Sequence, residues 1–174
     1  DDAHAYGMDV IMDLVHSHAV KNELEGLGKF DGSTYQYFHD GPKREHPAWD
    51  SLCFDYGKTE VLHFLLSNCK YWMDVYGFDG FRFDGVTSMI YRSHGLGEDF
   101  VDYSCYYNLN QDGDAICYLT LANKLIHEVK KNAITIAEEM SGMPGLASPI
   151  KDGGMGFDYR LAMGIPDFWI KYIK

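Results

Sequence analysis

Phe78-Asp79-Gly80-Phe81-Arg82-Phe83-Asp84 alternates with a period of two. On a strand, Phe81 and Phe83 share one face, and Gly80, Arg82 and Asp84 share the other. The phenylalanines suit packing against helices, which leaves Arg82 and Asp84 pointing away from them. An Arg two residues before an Asp on the same face stabilises the carboxylate's negative charge. A charged, positioned carboxylate is what a carboxylate nucleophile must be, and it is equally half of a structural ion pair. The heptapeptide leaves both readings open.

Working outward, the residues before it read as a helix from about Lys58 to Tyr76. Val61, Leu65, Cys69, Trp72, Met73 and Tyr76 recur at spacings of three and four, and Gly77 ends the run. Further upstream, Asp1 to Tyr6 reads as the last turn of a helix capped by Gly7. Met8 to Val15 is a short apolar run that suits a buried strand. Between this strand and the helix, residues 19–57 form a long polar and aromatic insert without evident secondary structure, a kind of segment that is usually functional.

Downstream, a Tyr- and Gly-rich loop leads to Asp114, a candidate helix cap. The helix after it carries Ile116, Leu119, Leu125, Ile126 and Val129 on its apolar side. Ala133 to Ala137 is β-branched at three positions and reads as a strand. Phe157 to Met163 is a fourth candidate strand, and Pro166 could start a last helix. Strands alternating with helices imply a parallel sheet, either doubly wound or a (β/α)₈ barrel. No Gly-rich nucleotide loop is present, which disfavours the first.

Each strand ends in polar groups, where parallel sheets place their sites. The first ends near Asp13, followed by His16 and His18; the second ends in Arg82 and Asp84; the third ends in Glu138-Glu139. Neighbouring strands lie about 4.8 Å apart. Two carboxylates on adjacent strand ends can therefore reach the separation of roughly 5 to 5.5 Å used by retaining glycosidases. Alternation does not decide between Glu138 and Glu139. The His16-Ser17-His18 spacing also occurs in metal-dependent barrels, but the later strand ends carry carboxylates instead of further histidines, so no metal site is expected.

Composition narrows the partners. The net charge is −11 and the pI about 5.0, which excludes the clustered basic charge that nucleic acid binding needs. Aromatic residues make up 15% of the chain and offer flat faces to sugar rings as well as core filling. No apolar run is long enough to cross a membrane. Cys69 and Cys117 fall in helical apolar patterns and are expected to be buried thiols. With no C-x-x-C pair, the four cysteines favour a reducing compartment.

Three segments in order, Asp13-Leu14-Val15-His16-Ser17-His18, Gly80-Phe81-Arg82-Phe83-Asp84 and Ala137-Glu138-Glu139, resemble the signature regions of the α-amylase clan. MDLVHSHAVKN (12–22), GFDGFRFDGVTS (77–88), IAEEMSGMP (136–144) and GFDYRLAMGIP (156–166) are more closely similar to branching enzymes of the eukaryotic type, and the likeness covers essentially the whole chain. The resemblance implies an α/β fold, the central fragment of a (β/α)₈ TIM barrel, about strands 3 to 6. Residues 1–174 would be part of the catalytic domain, with 19–57 as an insert after strand 3. It implies Asp84 as nucleophile and Glu138 as general acid/base. Arg82 would orient Asp84, Asp13 would support the barrel floor, and His18 would bind a hydroxyl of the transferred glucose. Glu139 would lie behind the site, at a position where related sequences often have Asp. The implied substrate is an α-1,4-glucan, with no cofactor, and the implied location is the cytoplasm, or a plastid in a plant. The family's third catalytic carboxylate is expected beyond the C-terminus, and this stretch alone is expected to be inactive.

Overall fold

The computed structural model describes residues 2–174. In chain order the elements are α1 (Asp2–Ala5), β1 (Ile11–Leu14), β2 (Ala19–Val20), β3 (Ser51–Leu52), α2 (Thr59–Tyr76), β4 (Gly80–Phe83), α3 (Val86–Ile90), α4 (Tyr103–Tyr106), α5 (Gly113–Val129), β5 (Ile134–Glu138), β6 (Tyr159–Leu161) and α6 (Gly164–Ile173). The four strands expected from the sequence form one sheet in the order β1-β4-β5-β6, and every pairing is parallel. The chain is therefore an α/β fold whose sheet follows sequence order.

Alternation divides this sheet as the Phe-x-Phe pattern predicts. Leu14, Phe81, Phe83, Thr135 and Ala137 are buried on one side. Leu14, Phe81, Phe83 and Ala137 join a single core with Val61, Leu65 and Cys69 of α2 and with Tyr118, Leu119, Ala122 and Ile126 of α5. On the other side Asp13 is exposed, and Arg82, Ile134, Ile136 and Glu138 are partly exposed. Gly80 is required by close approach, because a Cβ there would lie 2.0 Å from the carbonyl oxygen of Ile134 on the neighbouring strand.

The opposite end of the sheet is tied by Asp79. Its Oδ2 accepts from Val10 N–H (2.6 Å) and faces His4 Nε2 (2.7 Å), and its Oδ1 pairs with Lys130. Burial alone would raise the Asp79 pKa; Lys130, the Val10 amide and His4 outweigh it and hold the carboxyl well below the usual range. One side chain thus joins α1, the start of β1 and the end of α5.

Several sequence expectations need correction. The cap of α5 is Asp112, whose side chain accepts from Asp114 N–H and Ala115 N–H, not Asp114. The buried stripe of α5 is Ala115, Tyr118, Leu119, Ala122, Asn123 and Ile126, and Cys117 is exposed. Leu119 and Ile126 are buried as expected, whereas Ile116, Leu125 and Val129 lie at the margin of the stripe and are only half-buried. Cys69 is buried as expected. Residues 19–57 are not structureless. β2 and β3 pair antiparallel, and bridges join Glu45 to Leu52 and Phe38 to Phe54. Phe38, Leu52, Phe54 and Tyr56 are buried, so aromatic packing orders a segment that has no periodicity.

Candidate active site

Arg82 is the hub of the exposed face. Its Nη1 donates to Asp13 Oδ1 (2.5 Å) and Asp84 Oδ1 (3.1 Å), and its Nη2 pairs with Glu138 Oε2 (3.1 Å). The register explains the convergence. Asp13 on β1 stands beside Arg82, and Ile136 on β5 stands on its other side, two residues before Glu138. Partial burial opposes the Arg82 charge, but Asp13, Glu138 and Asp84 more than offset it and raise its pKa.

Glu138 and Glu139, which alternation left open, occupy different environments. Glu138 Oε2 accepts from Gly85 N–H (2.9 Å) as well as meeting Arg82. Gly85 adopts φ 62°, a left-handed turn that aims its N–H at this carboxylate. Glu139 is fully buried. It accepts from the amides of Ser141 (2.7 Å), Gly142 (2.9 Å) and Met143 (3.3 Å), from Thr87 Oγ1 (3.2 Å) and from the Ser141 hydroxyl. Arg160 Nη1 lies 3.5 Å away. Glu139 shapes the turn after β5, while Glu138 faces the open side.

The two histidines of His16-Ser17-His18 also separate. His16 is buried. Its Nδ1 lies 2.5 Å from Tyr118 Oη and its Nε2 lies 3.0 Å from Asn68 Oδ1. An acceptor-only amide oxygen places the proton on Nε2, so Tyr118 donates to Nδ1 and the neutral ring is satisfied. His18 instead packs against Trp49, with ring centroids 4.9 Å apart. Burial lowers the His18 pKa, against the opposing charge of Asp84. Among the described residues no group of three or more His, Cys, Asp or Glu side chains could hold a metal ion.

Burial lowers the His16 pKa from 6.5 to about 4, only partly opposed by Asn68. The unfolded chain takes up this proton first, so folding stability is full above about pH 6.5 and declines as pH falls toward 4. We predict a loss of about 3 kcal/mol from this group across that window. Denaturant unfolding of the full-length protein against pH checks it. His16→Gln should flatten the slope by about one proton, and an unchanged slope would remove His16 as the source.

Asp84 and Glu138 open on a cleft of about 560 Å³ whose walls include Trp49, Thr87, His94, Leu96, Glu98, Phe100 and Met140. Of the residues anticipated from sequence, Asp13, Arg82, Asp84 and Glu138 meet directly, and His18 joins through Trp49. The sequence did not indicate Trp49, His94 or Glu98, which sit on loops without periodicity. Their only signal was the aromatic richness of the insert and the glycines around His94.

No family model matches the chain. It is 58% identical over 175 residues to the 1,4-alpha-glucan-branching enzyme of Felis catus and 55% identical to that of Aspergillus oryzae. In each case the match takes in 100% of this chain and 25% of the relative. The chain thus spans about a quarter of the length of the curated relatives it matches. Among solved structures, a maltogenic alpha-amylase from Thermotoga neapolitana superposes with a TM-score of 0.54 at 24% identity, over 91% of this chain and 29% of that one. An alpha-amylase from Lactobacillus plantarum gives 0.52 at 20%, over 79% of this chain and 26% of that one. The fold is similar to part of the alpha-amylase catalytic domains, and by its sequence the chain is similar, along its whole length, to about a quarter of the 1,4-alpha-glucan-branching enzymes.

Proposed function

We propose that residues 1–174 form the central part of the catalytic (β/α)₈ barrel of a 1,4-α-glucan branching enzyme, about strands 3 to 6, with 19–57 as the insert after strand 3. The observation that carries this reading is Arg82 holding Asp84 and Glu138 together on the open face of a parallel sheet. In each carboxylate one oxygen is held and the other is free among the described residues. Asp84 Oδ1 is on Arg82, which leaves Oδ2 for attack. Glu138 Oε2 is on Arg82 and Gly85, which leaves Oε1 for the proton.

The proposed reaction is a double displacement. Asp84 attacks the anomeric carbon of an α-1,4-linked glucosyl unit. The bond to the leaving oxygen breaks as Glu138 delivers its proton, and a glycosyl ester forms on Asp84. Glu138 then takes the proton from the 6-hydroxyl of an acceptor chain. That oxygen attacks the same carbon and releases Asp84, so two inversions give retention. Asp13 supports Arg82, and His18 binds a hydroxyl of the transferred glucose. No cofactor takes part.

The proposed substrate is a neutral α-glucan, which fits the acidic chain. No described helix is long and apolar enough to cross a membrane. The four cysteines are free, which fits a reducing compartment such as the cytoplasm or a plastid. Incubation of the full-length protein with amylose should create α-1,6 linkages, read by proton NMR, with little new reducing sugar. Reducing ends that rise without α-1,6 signals would assign hydrolysis instead.

A further inference from the structure

The segment that ends β1 and follows it supports three parts of the candidate site at once. The Leu14 carbonyl accepts from Asp84 N–H (3.1 Å). The Ser17 side chain packs on Gly85, where an added Cβ would lie 3.0 Å from Ser17 Oγ and 3.3 Å from its Cβ. Gly85 N–H in turn holds Glu138. His18 is the next residue along. Residues 14–18 therefore back the candidate nucleophile and the candidate proton donor, and they carry the histidine proposed to bind a hydroxyl.

Residues 15–18 belong to neither helix nor strand, so no ladder fixes their backbone. A buried side chain of the insert does. Tyr56 lies between β3 and α2. Its hydroxyl donates to the His16 carbonyl (2.7 Å), with the Ser17 carbonyl at 3.4 Å. Among the described residues no other hydrogen bond reaches either carbonyl. Burial above all, with Cys53 and Asp112 adding to it, raises the Tyr56 pKa well above that of a free phenol, so the hydroxyl remains a donor. Tyr56 is itself held. Its ring stacks on Tyr118 at 5.5 Å with 9° between planes, and the preceding Asp55 N–H donates to the Tyr37 carbonyl (3.0 Å).

Tyr118 and Asn68 hold the His16 ring, but a ring can stay in place while its backbone turns. The carbonyl bond acts on the backbone directly. A peptide unit is planar, so fixing the direction of the His16 carbonyl fixes the plane that leads into Ser17. A turn of that plane would carry Ser17 off Gly85 and His18 off Trp49. Loss of the donor would favour such a turn, because a buried carbonyl without a partner is driven to find another. Tyr56 does not line the cleft on which Asp84 and Glu138 open, so its effect passes through other residues.

We propose that Tyr56 is a positioning residue: by pinning the His16–Ser17 peptide it sets the places of His18 and Gly85, and through Gly85 that of Glu138. The proposal rests on the function proposed above.

The test is the rate of α-1,6 linkage formation by the full-length protein on amylose, assayed well below the unfolding midpoint of each variant. Tyr56→Phe keeps the ring and its stacking and removes only the donor. It should lower kcat about tenfold while KM and glycogen affinity stay within about threefold of the parent's. Tyr118→Phe is the control. It removes a buried hydrogen bond to the His16 ring but leaves the carbonyl bond, so it should lower the unfolding midpoint and keep kcat within about threefold. Equal losses of kcat in the two variants would reduce Tyr56 to a core residue. A parental kcat in folded Tyr56→Phe would overturn the proposal outright. If Tyr56→Phe does not fold, Ser17→Gly reads the next link. That variant should lower kcat with KM kept, and a parental kcat there overturns the proposal while leaving the branching reading intact. A parent protein inert toward amylose overturns the branching reading, and the positioning role with it.

Discussion

Asp84→Asn in the full-length protein should lower α-glucan transfer by on the order of 10⁴-fold or more, with glucan affinity nearly unchanged. The substitution keeps the volume and the hydrogen bond that Oδ1 can accept from Arg82. It removes the charge that attacks the anomeric carbon. Steady-state rates, with glycogen binding measured separately, decide the matter. A covalent sugar trapped on any residue other than Asp84 would refute the assignment.

The second large effect separates adjacent residues. Glu138→Gln should cost on the order of 10² to 10⁴-fold in rate, because the amide still accepts from Gly85 N–H but has no proton to give and none to take back. Glu139→Gln should cost far less in rate at saturating substrate. Its price is stability, since one amide cannot replace a carboxylate that accepts from three backbone N–H groups and two hydroxyls. Rates and unfolding midpoints of both variants check this. If Glu139→Gln is the inactive protein and Glu138→Gln the unstable one, the two roles are reversed.

Much of this arrangement is legible before any coordinates. Phe81 and Phe83 alternate with Arg82 because one face of β4 meets helices and the other does not, and a period of two records that. The stripe Val61, Leu65, Cys69, Met73 is legible for the same reason at helical spacing. Tyr118 and Asn123 are the instructive failures. Both are buried in α5 with side-chain hydrogen bonds, Tyr118 to His16 and Asn123 Nδ2 to the Met155 carbonyl, and hydropathy does not register such pairing. The choice between Glu138 and Glu139 was equally hidden, because it depends on amides of the following turn and on Gly85, 53 residues upstream.

The division of the sheet into a covered and an open face has a consequence for how this chain can change. Along β4, odd positions answer to α2 and α5, and Arg82 faces the candidate site. A lineage or an engineer can repack Phe81, Phe83, Thr135 or Ala137 against the helices and move the melting point without altering which bond is broken. On the proposed mechanism, drift at Arg82 or Glu138 would be registered by chemistry before it is registered by folding. Thermal tolerance and specificity are thus written on alternate letters of the same strands, and each can evolve largely independently of the other.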